Sequence, residues 1–197
     1  MGGYPVDCAI SGIGYRIVED DLGYEAQPPP QRSIIKPFDR SLRRTLGHFV
    51  CKSLFTLERL WLKGSDWKIA TDGGLKEGIG TCGVVMWNTD TQQELCTSMS
   101  AESCAYGLLH STREELRGNL SAEIILDECN KKYGDSGHNV VQYICDSKSD
   151  IRHLESDIGK LKATKPIAPD MDVILEIGRL RNKNNNIERG FKWVRSH

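Results

Sequence analysis

Three acidic residues stand where an α/β protein can use carboxylates for chemistry. Asp72 and Asp146 each end a short apolar run, and Glu115 lies in the first turn of a predicted helix. Functional groups on such proteins gather at strand ends and helix starts, where loops open to solvent on a rigid scaffold. Carboxylates grouped there suit a hard cation such as Mg²⁺, which also offsets their mutual repulsion.

Each of the three acids also has an ordinary structural interpretation. An aspartate after a strand is usually a turn former, and a glutamate in a first helical turn usually interacts with the helix dipole. Taken singly, each acid is better explained in that way. The metal-site hypothesis therefore depends on whether the fold brings the three carboxylates together.

The elements that must position these acids follow from the period of the apolar residues. Strand patterning occurs in five segments: residues 67–72, 80–87, 94–99, 140–146 and 188–194. Helical patterning occurs in four: residues 39–63, 111–133, 149–156 and 170–180. Ser111 or Thr112 is expected to cap the long helix, and Asp170 the last one. From residue 67 the order is β-β-β-α-β-α-α-β, and if its first and fourth strands are neighbours, Asp72 and Asp146 lie side by side.

The first 65 residues differ in character from the rest of the chain. Residues 1–38 contain three successive prolines, which interrupt helices and central strands alike, and they predict a poorly ordered linker. Residues 39–65 predict a helical connector, and residues 66–197 predict the folded domain. Two clusters of basic residues, at 40–64 and 181–197, are suited to contact a polyanion, although solvated surface explains clusters of this size equally well.

Composition limits the class of protein. Hydrophobic residues make up 39% and charged residues 27% of the chain, which is typical of a soluble globular domain. No apolar run approaches the roughly 20 residues of a membrane-spanning helix, and no secretory signal is present, so no membrane partner is expected. The seven cysteines include no Cys-x-x-Cys pair, so they predict neither a zinc site nor a disulfide framework. Unpaired cysteines favour an intracellular location, cytoplasm or nucleus. Cys145 is expected to be a core residue, and so are the tryptophans Trp67, Trp87 and Trp193.

Five short motifs occur in an order that resembles a known family. They are Ala70-Thr71-Asp72-Gly73-Gly74 with Gly78–Thr81, then Ser111–Gly118, Ile144–Ser147, Asp170–Ile174 and Phe191–His197. Together they resemble type 1 ribonuclease H over about residues 67–197, and most closely its retroelement branch, found behind reverse transcriptases. The resemblance implies an α/β, ribonuclease H-like fold, in which helices flank a mixed five-stranded sheet of three antiparallel strands followed by parallel strands.

The resemblance also implies an activity, namely metal-dependent hydrolysis of the RNA strand of RNA–DNA hybrids. Asp72, Glu115 and Asp146 match three of the family's four carboxylates, which hold two Mg²⁺ or Mn²⁺ ions. Two ions about 4 Å apart activate a water and stabilise the leaving oxygen. Gly73 and Ser147 would contact substrate, with Ser147 near the 2′-hydroxyl that distinguishes RNA from DNA. His197 matches a mobile histidine that helps to deliver water or release product.

The chain departs from the family pattern at its end. The family's fourth carboxylate follows the histidine by several residues, whereas this sequence ends at His197, and Asp172 belongs to an earlier helix start. The expectation is a C-terminally truncated piece of a retroelement polyprotein, with an upstream reverse transcriptase region as a partner. Two alternatives stay open. One is a catalytically inactive ribonuclease H-like module that binds nucleic acid or protein. The other is an unrelated α/β domain, which predicts that Asp72 and Asp146 lie far apart.

Overall fold

A computed structural model describes residues 46–103, 110–134, 138–155 and 170–195. Six strands are present in these ranges: β1 (His48–Cys51), β2 (Asp66–Lys76), β3 (Ile79–Asn88), β4 (Glu94–Ser103), β5 (Val140–Cys145) and β6 (Glu188–Trp193). The same ranges contain the helices α1 (Leu54–Lys63), α2 (Ser111–Tyr133), α3 (Lys148–Glu155) and α4 (Met171–Lys183). From residue 66 onward, this order is the predicted one.

The six strands form one mixed sheet in the order β1-β4-β3-β2-β5-β6. The pairs β1–β4, β4–β3 and β3–β2 are antiparallel, whereas β2–β5 and β5–β6 are parallel. The predicted sequence of antiparallel and then parallel strands is therefore confirmed. The predicted first and fourth strands, β2 and β5, are neighbours, and their last paired residues are Ala70 and Ile144.

The predicted count of five strands was wrong, because residues 48–51 form a strand where a helix over 39–63 was expected. This strand, β1, pairs with β4 at the edge of the sheet, with His48 opposite Met99 and Cys51 opposite Cys96. Two local features end the helical pattern here. Gly47 has a positive φ of 55°, a conformation that glycine adopts without strain. Ser53 then caps α1, since its hydroxyl accepts a hydrogen bond from the Thr56 amide.

One hydrophobic core lies between the sheet and the helices. Trp67 and Ile69 of β2 pack there with Leu116 of α2, and Leu57 and Trp61 of α1 belong to the same cluster. The Trp61 indole N–H donates to the carbonyl of Gly134, which ties α1 to the end of α2. Leu57 and Trp61, which lie in the predicted connector, thus contribute to the core. The predicted linker, residues 1–38, lies outside the described residues.

Helix α2 crosses the sheet and is buried along most of its 23 residues. Its N-cap is His110 rather than Ser111 or Thr112, since the imidazole Nδ1 accepts the hydrogen bond of the Arg113 amide. The helix ends before Gly134, which has a φ of 81°. None of the described helices combines the length and apolar character needed to cross a bilayer.

Candidate active site

The carboxyl ends of β2 and β5 form the edge of the sheet where two of the predicted acids lie. Asp72 stands two positions beyond Ala70, and Asp146 two positions beyond the opposing Ile144. Parallel neighbours end at the same edge, so the register brings both residues to it. Asp72 pairs with Gly83 of β3 and is exposed, whereas Asp146 is half-buried. The predicted meeting of the two strand ends is therefore present, and the interpretation as an unrelated fold with distant acids fails.

Backbone contact between α2 and β2 brings the start of the helix to this edge. A Cβ atom on Gly73 would lie 2.3 Å from the Glu115 nitrogen, and one on Gly118 would lie 3.4 Å from the carbonyl oxygen of Asp72. Only glycine at position 73 permits such an approach. Gly73 therefore has a packing role here, and its predicted contact with substrate stays a prediction.

Glu115 and Asp146 meet at this edge together with Cys145. The nearest ligand atoms of the three side chains all lie within 4.8 Å of one another. Asp72 is not a member of this group, although it lies at the same edge. Glu115 is 8% exposed, and the sulfur of Cys145 accepts a hydrogen bond from the Ser147 amide at 3.3 Å. Two carboxylates suit a hard divalent cation, so the residues present fit a Mg²⁺ or Mn²⁺ ion.

The carboxylates of Asp72 and Asp146 lie at the sheet edge without a charged partner among the described residues. Within the part of the chain that the structure describes, neither carboxylate has a hydrogen-bond or ion-pair partner. Converging acids without a cationic side chain repel one another, and a bound cation removes that repulsion. The charges of the described residues at this edge are therefore compatible with a bound cation.

Glu114, the neighbour of Glu115, has a different environment. It is fully buried beneath the β2–β3 hairpin, where a Cβ atom on Gly80 would lie 2.4 Å from its carboxyl carbon. Burial raises the pKa of Glu114, against the opposing charge of Arg117, whose guanidinium lies 2.8 Å from one carboxylate oxygen. Arg117 also contacts Glu102 at 2.9 Å. Glu114 therefore holds the hairpin to the helix, and Glu115 alone of the two joins the group at the sheet edge.

The end of β6 supports the Asp146 turn. The Trp193 indole N–H donates to the carbonyl oxygen of Asp146 at 2.9 Å, and the Val194 amide donates to the carbonyl of Cys145 at 3.0 Å. The Lys148 ammonium lies 4.1 Å from the centre of the Trp193 ring. Trp193 was predicted to be a core residue, which was wrong, because it is 42% exposed. It is the last paired residue of the edge strand β6, which accounts for its exposure.

The starts of α2 and α4 are joined by an ionic cluster beside the site. Arg113 binds Asp172 through two hydrogen bonds of 2.7 and 3.0 Å and Asp170 through a third of 3.1 Å. This contact lowers the pKa of Asp172. His110 Nε2 lies 3.0 Å from the other oxygen of Asp170, so that carboxylate does not cap α4 as predicted. Asp172 is held by Arg113, consistent with its exclusion as the fourth carboxylate.

Ser147 and His197 are the remaining predicted site residues. Ser147 is half-buried directly after Asp146, at the position expected for a substrate contact. His197 lies outside the described residues.

Cys145 is the member of the group that sequence reasoning assigned to the core alone. The signal that identifies it is its place at the end of β5, directly before Asp146 and on the strand face that points toward α2.

Solved structures share this arrangement of strands and helices. LC11-RNase H1, isolated from compost and solved in complex with an RNA/DNA hybrid, aligns with a TM-score of 0.50 and 17% identity over 66% of this chain and 85% of its own. The chain has a ribonuclease H-like fold.

Two other structures with this fold align slightly less well. The N-terminal RNase H domain of a Mycobacterium tuberculosis protein gives a TM-score of 0.48 and 21% identity over 67% of this chain and 84% of its own. The prototype foamy virus protease–reverse transcriptase gives a TM-score of 0.49 and 14% sequence identity over 65% of this chain and 17% of its own. No protein-family model matches the sequence, and no curated protein matches it. The ribonuclease H-like fold therefore rests on structure and not on sequence identity.

Proposed function

We propose that this chain is a metal-dependent endonuclease that hydrolyses the RNA strand of an RNA–DNA hybrid. The observation that carries the proposal is the meeting of Glu115 and Asp146 at the sheet edge that also bears Asp72, within a ribonuclease H-like fold. The hybrid is the substrate class because LC11-RNase H1 was solved with one and because the five motifs resemble type 1 ribonuclease H.

Asp72, Glu115 and Asp146 would hold the cofactor, which we propose to be two Mg²⁺ ions, with Mn²⁺ as a substitute. Bound there, the ions would activate water and stabilise charge on the leaving oxygen. The chain's own contribution is positioning. The contact of Gly73 with α2 sets the place of Glu115, and the hydrogen bond from Trp193 sets the place of Asp146.

Substrate contacts are proposed at the rim of the same edge. The Ser147 hydroxyl follows Asp146 directly and would interact with the 2′-hydroxyl of the RNA strand. Lys148 presents a positive charge beside the exposed ring of Trp193, which suits a phosphate and a nearby sugar or base. His197 would help to deliver water or release product. The origin in a retroelement, the upstream reverse transcriptase partner and the intracellular location rest on sequence alone.

A catalytically inactive ribonuclease H-like module that binds nucleic acid is the second candidate. The observation in its favour is the make-up of the group within 4.8 Å, which contains two carboxylates and a thiol but not Asp72. A site with fewer carboxylates binds a hard cation more weakly.

The two candidates are separated by hydrolysis of a labelled RNA–DNA hybrid in Mg²⁺ and in Mn²⁺. The test variant is Asp146→Asn, and the matched control is Asp66→Asn, an exposed aspartate at the opposite end of β2. We expect the parent chain and the control to cleave RNA. We expect Asp146→Asn to bind hybrid but lose at least about 100-fold in rate, because a cation ligand is removed.

Hybrid binding without cleavage by the parent chain would support the inactive module. Cleavage that survives Asp146→Asn, or no binding of hybrid by the parent chain, would contradict the proposal. Melting curves of all three proteins exclude unfolding as the cause of any loss.

A further inference from the structure

Two cysteines face each other across the edge of the sheet opposite to β6. Cys51 of β1 is the direct partner of Cys96 of β4. The neighbouring Lys52 amide donates to the carbonyl of Leu95 at 2.9 Å, which makes Cys51 and Cys96 a non-hydrogen-bonded pair. In such pairs the Cα atoms lie about 4.5 Å apart and the side chains approach closely. This spacing falls within the range of about 4.4–6.8 Å found in disulfides.

The chemical state of the two thiols is unequal. Both cysteines are free, and they are 5% and 1% exposed respectively. A hydrogen bond between the thiols lowers the pKa of Cys51, and the charge of Lys132 acts in the same direction. The same hydrogen bond, together with burial, raises the pKa of Cys96. Both thiols are buried, and Cys51 at the edge of the sheet, whose pKa is lowered, is the one that we expect to ionise first and to act as the nucleophile of the pair.

Two other buried cysteines provide the comparison. Cys82 of β3 stands opposite Ser100 of β4, and its sulfur lies 3.0 Å from the serine hydroxyl. Cys129 of α2 is close enough to influence both thiols of the pair, but burial raises its own pKa strongly and keeps it protonated. On β4, the thiol of Cys96 thus lies opposite the thiol of Cys51, whereas the hydroxyl of Ser100 lies opposite the thiol of Cys82. Only the first of these pairs can form a disulfide.

We propose that Cys51 and Cys96 form a redox-active dithiol that small disulfides such as glutathione disulfide convert to a cross-strand disulfide. The Cys51 thiolate attacks one sulfur of glutathione disulfide, which forms a mixed disulfide and releases one glutathione thiolate. Cys96 then loses its proton, and its sulfur attacks that of Cys51 and releases the second glutathione thiolate. Two protein thiols are thereby oxidised, and one glutathione disulfide is reduced to two thiols.

The disulfide would fasten β1 to the sheet. This strand has four residues and, among the described strands, pairs with β4 alone, so few of the described backbone hydrogen bonds hold it. A covalent link between residues far apart in sequence also restricts the unfolded chain, which stabilises the folded state. The oxidised protein should therefore melt at a higher temperature than the reduced protein. This inference does not depend on the proposed nuclease activity.

The test is oxidation with glutathione disulfide, followed by blocking of free thiols and peptide mapping. Trypsin and a glutamate-specific protease together release residues 45–52 and 95–102, each of which contains one cysteine of the pair. We expect these two peptides to be joined in the parent chain and in Cys82→Ser, and to separate on treatment with a thiol reductant. We expect no such link in Cys51→Ser, and a melting temperature several degrees higher for the oxidised parent chain.

Two results would overturn the proposal. One is the recovery of peptides 45–52 and 95–102 unlinked from folded, oxidised parent chain. The other is a link from either cysteine to Cys129 in place of the Cys51–Cys96 link. The Cys129→Ser variant checks the second result, since the expected link must survive in it. Because the readout is a covalent bond in the parent chain, an unstable variant cannot obscure the answer.

Discussion

Helix α2 carries acids in two regions, and their surroundings differ. In the middle of the helix, Glu123 is fully buried and is bound by Arg181 at 2.7 Å, by Arg189 at 2.9 Å and by the Tyr143 hydroxyl at 2.7 Å. At the start of the helix, Glu115 lies instead among Cys145 and Asp146. Arginine side chains thus surround the acid in the first region, whereas a second carboxylate lies beside the acid in the second region.

This difference separates acids that hold the fold from acids that are available for chemistry. Arg181 lies on α4 and Arg189 on β6, so the Glu123 network joins three elements through groups that neutralise one another. At the sheet edge, no described side chain makes a hydrogen bond or an ion pair with the Asp146 carboxylate, which leaves it available to the proposed metal. Natural proteins concentrate such locally unsatisfied groups at functional sites.

Substitution of Glu123 is expected to have the largest effect, and the effect is on stability. Glu123→Gln leaves two buried guanidinium groups without a counter-charge, and we expect a loss of about 3–5 kcal/mol in the free energy of unfolding. Asp146→Asn removes a charge that no described side chain neutralises, and we expect a change within about 0.5 kcal/mol. Urea unfolding of both variants measures the difference. Equal losses in the free energy of unfolding would show that Asp146 supports the fold as much as Glu123 does, which would contradict the distinction between the two regions.

A second, smaller effect concerns the response to metal. Mg²⁺ at about 100 times its dissociation constant should raise the free energy of unfolding of the parent chain by about 2.7 kcal/mol. The control Asp66→Asn should show the same rise, and Asp146→Asn should show much less. Thermal melts with and without Mg²⁺ give the three values. A rise of the same size in Asp146→Asn would place the ion elsewhere.

The smallest effect is a dependence of stability on pH at Asp127, another paired acid of α2. Burial raises the pKa of Asp127, but hydrogen bonds from Lys131, Lys183 and Asn184 outweigh it, so the pKa lies below its usual value. A carboxyl group with a lowered pKa stabilises the fold above the unfolded pKa of about 3.9, and this contribution is lost as the pH falls through the folded pKa.

Asp127→Asn should therefore cost about 1 kcal/mol in the free energy of unfolding at neutral pH, and the difference from the parent chain should shrink in acid. Urea titrations at neutral pH and near pH 3 test this. A difference that stays constant or grows as the pH falls would contradict the lowered pKa, and no difference at neutral pH would show that the pairing contributes nothing.

Local patterning predicted most of the fold because the relevant residues are close in sequence. The apolar runs of β2 and β5 and the helical period of α2 each depend on a few neighbouring side chains. Residues 48–51 were predicted wrongly because leucine and valine spacing there fits a helix, whereas the pairing with β4 depends on residues about 50 positions away. Local patterning cannot contain that information.

The site was predicted in part for the same reason. Local sequence patterns place Asp146 at a strand end and Glu115 at a helix start. The parallel pairing of β2 with β5 then brings Asp146 to the same edge as Asp72. The roles of Cys145 and Trp193 depend on which face of a strand meets α2 and on where β6 ends. Both are properties of the assembled sheet. Local patterning also failed at Asp170, because the carboxylate that was expected to cap α4 instead binds Arg113, which is distant in sequence.

Gly73 has a consequence for how the sequence can change over time. Because no side chain separates β2 from the first turn of α2, the spacing between the strand that bears Asp72 and the helix that bears Glu115 is set by main-chain atoms alone. A rotamer change nearby cannot make room for a side chain here, because the atoms that it would meet belong to the main chain of Glu114 and Glu115. A single added methyl group at position 73 would therefore separate the strand that bears Asp72 from the helix that bears Glu115.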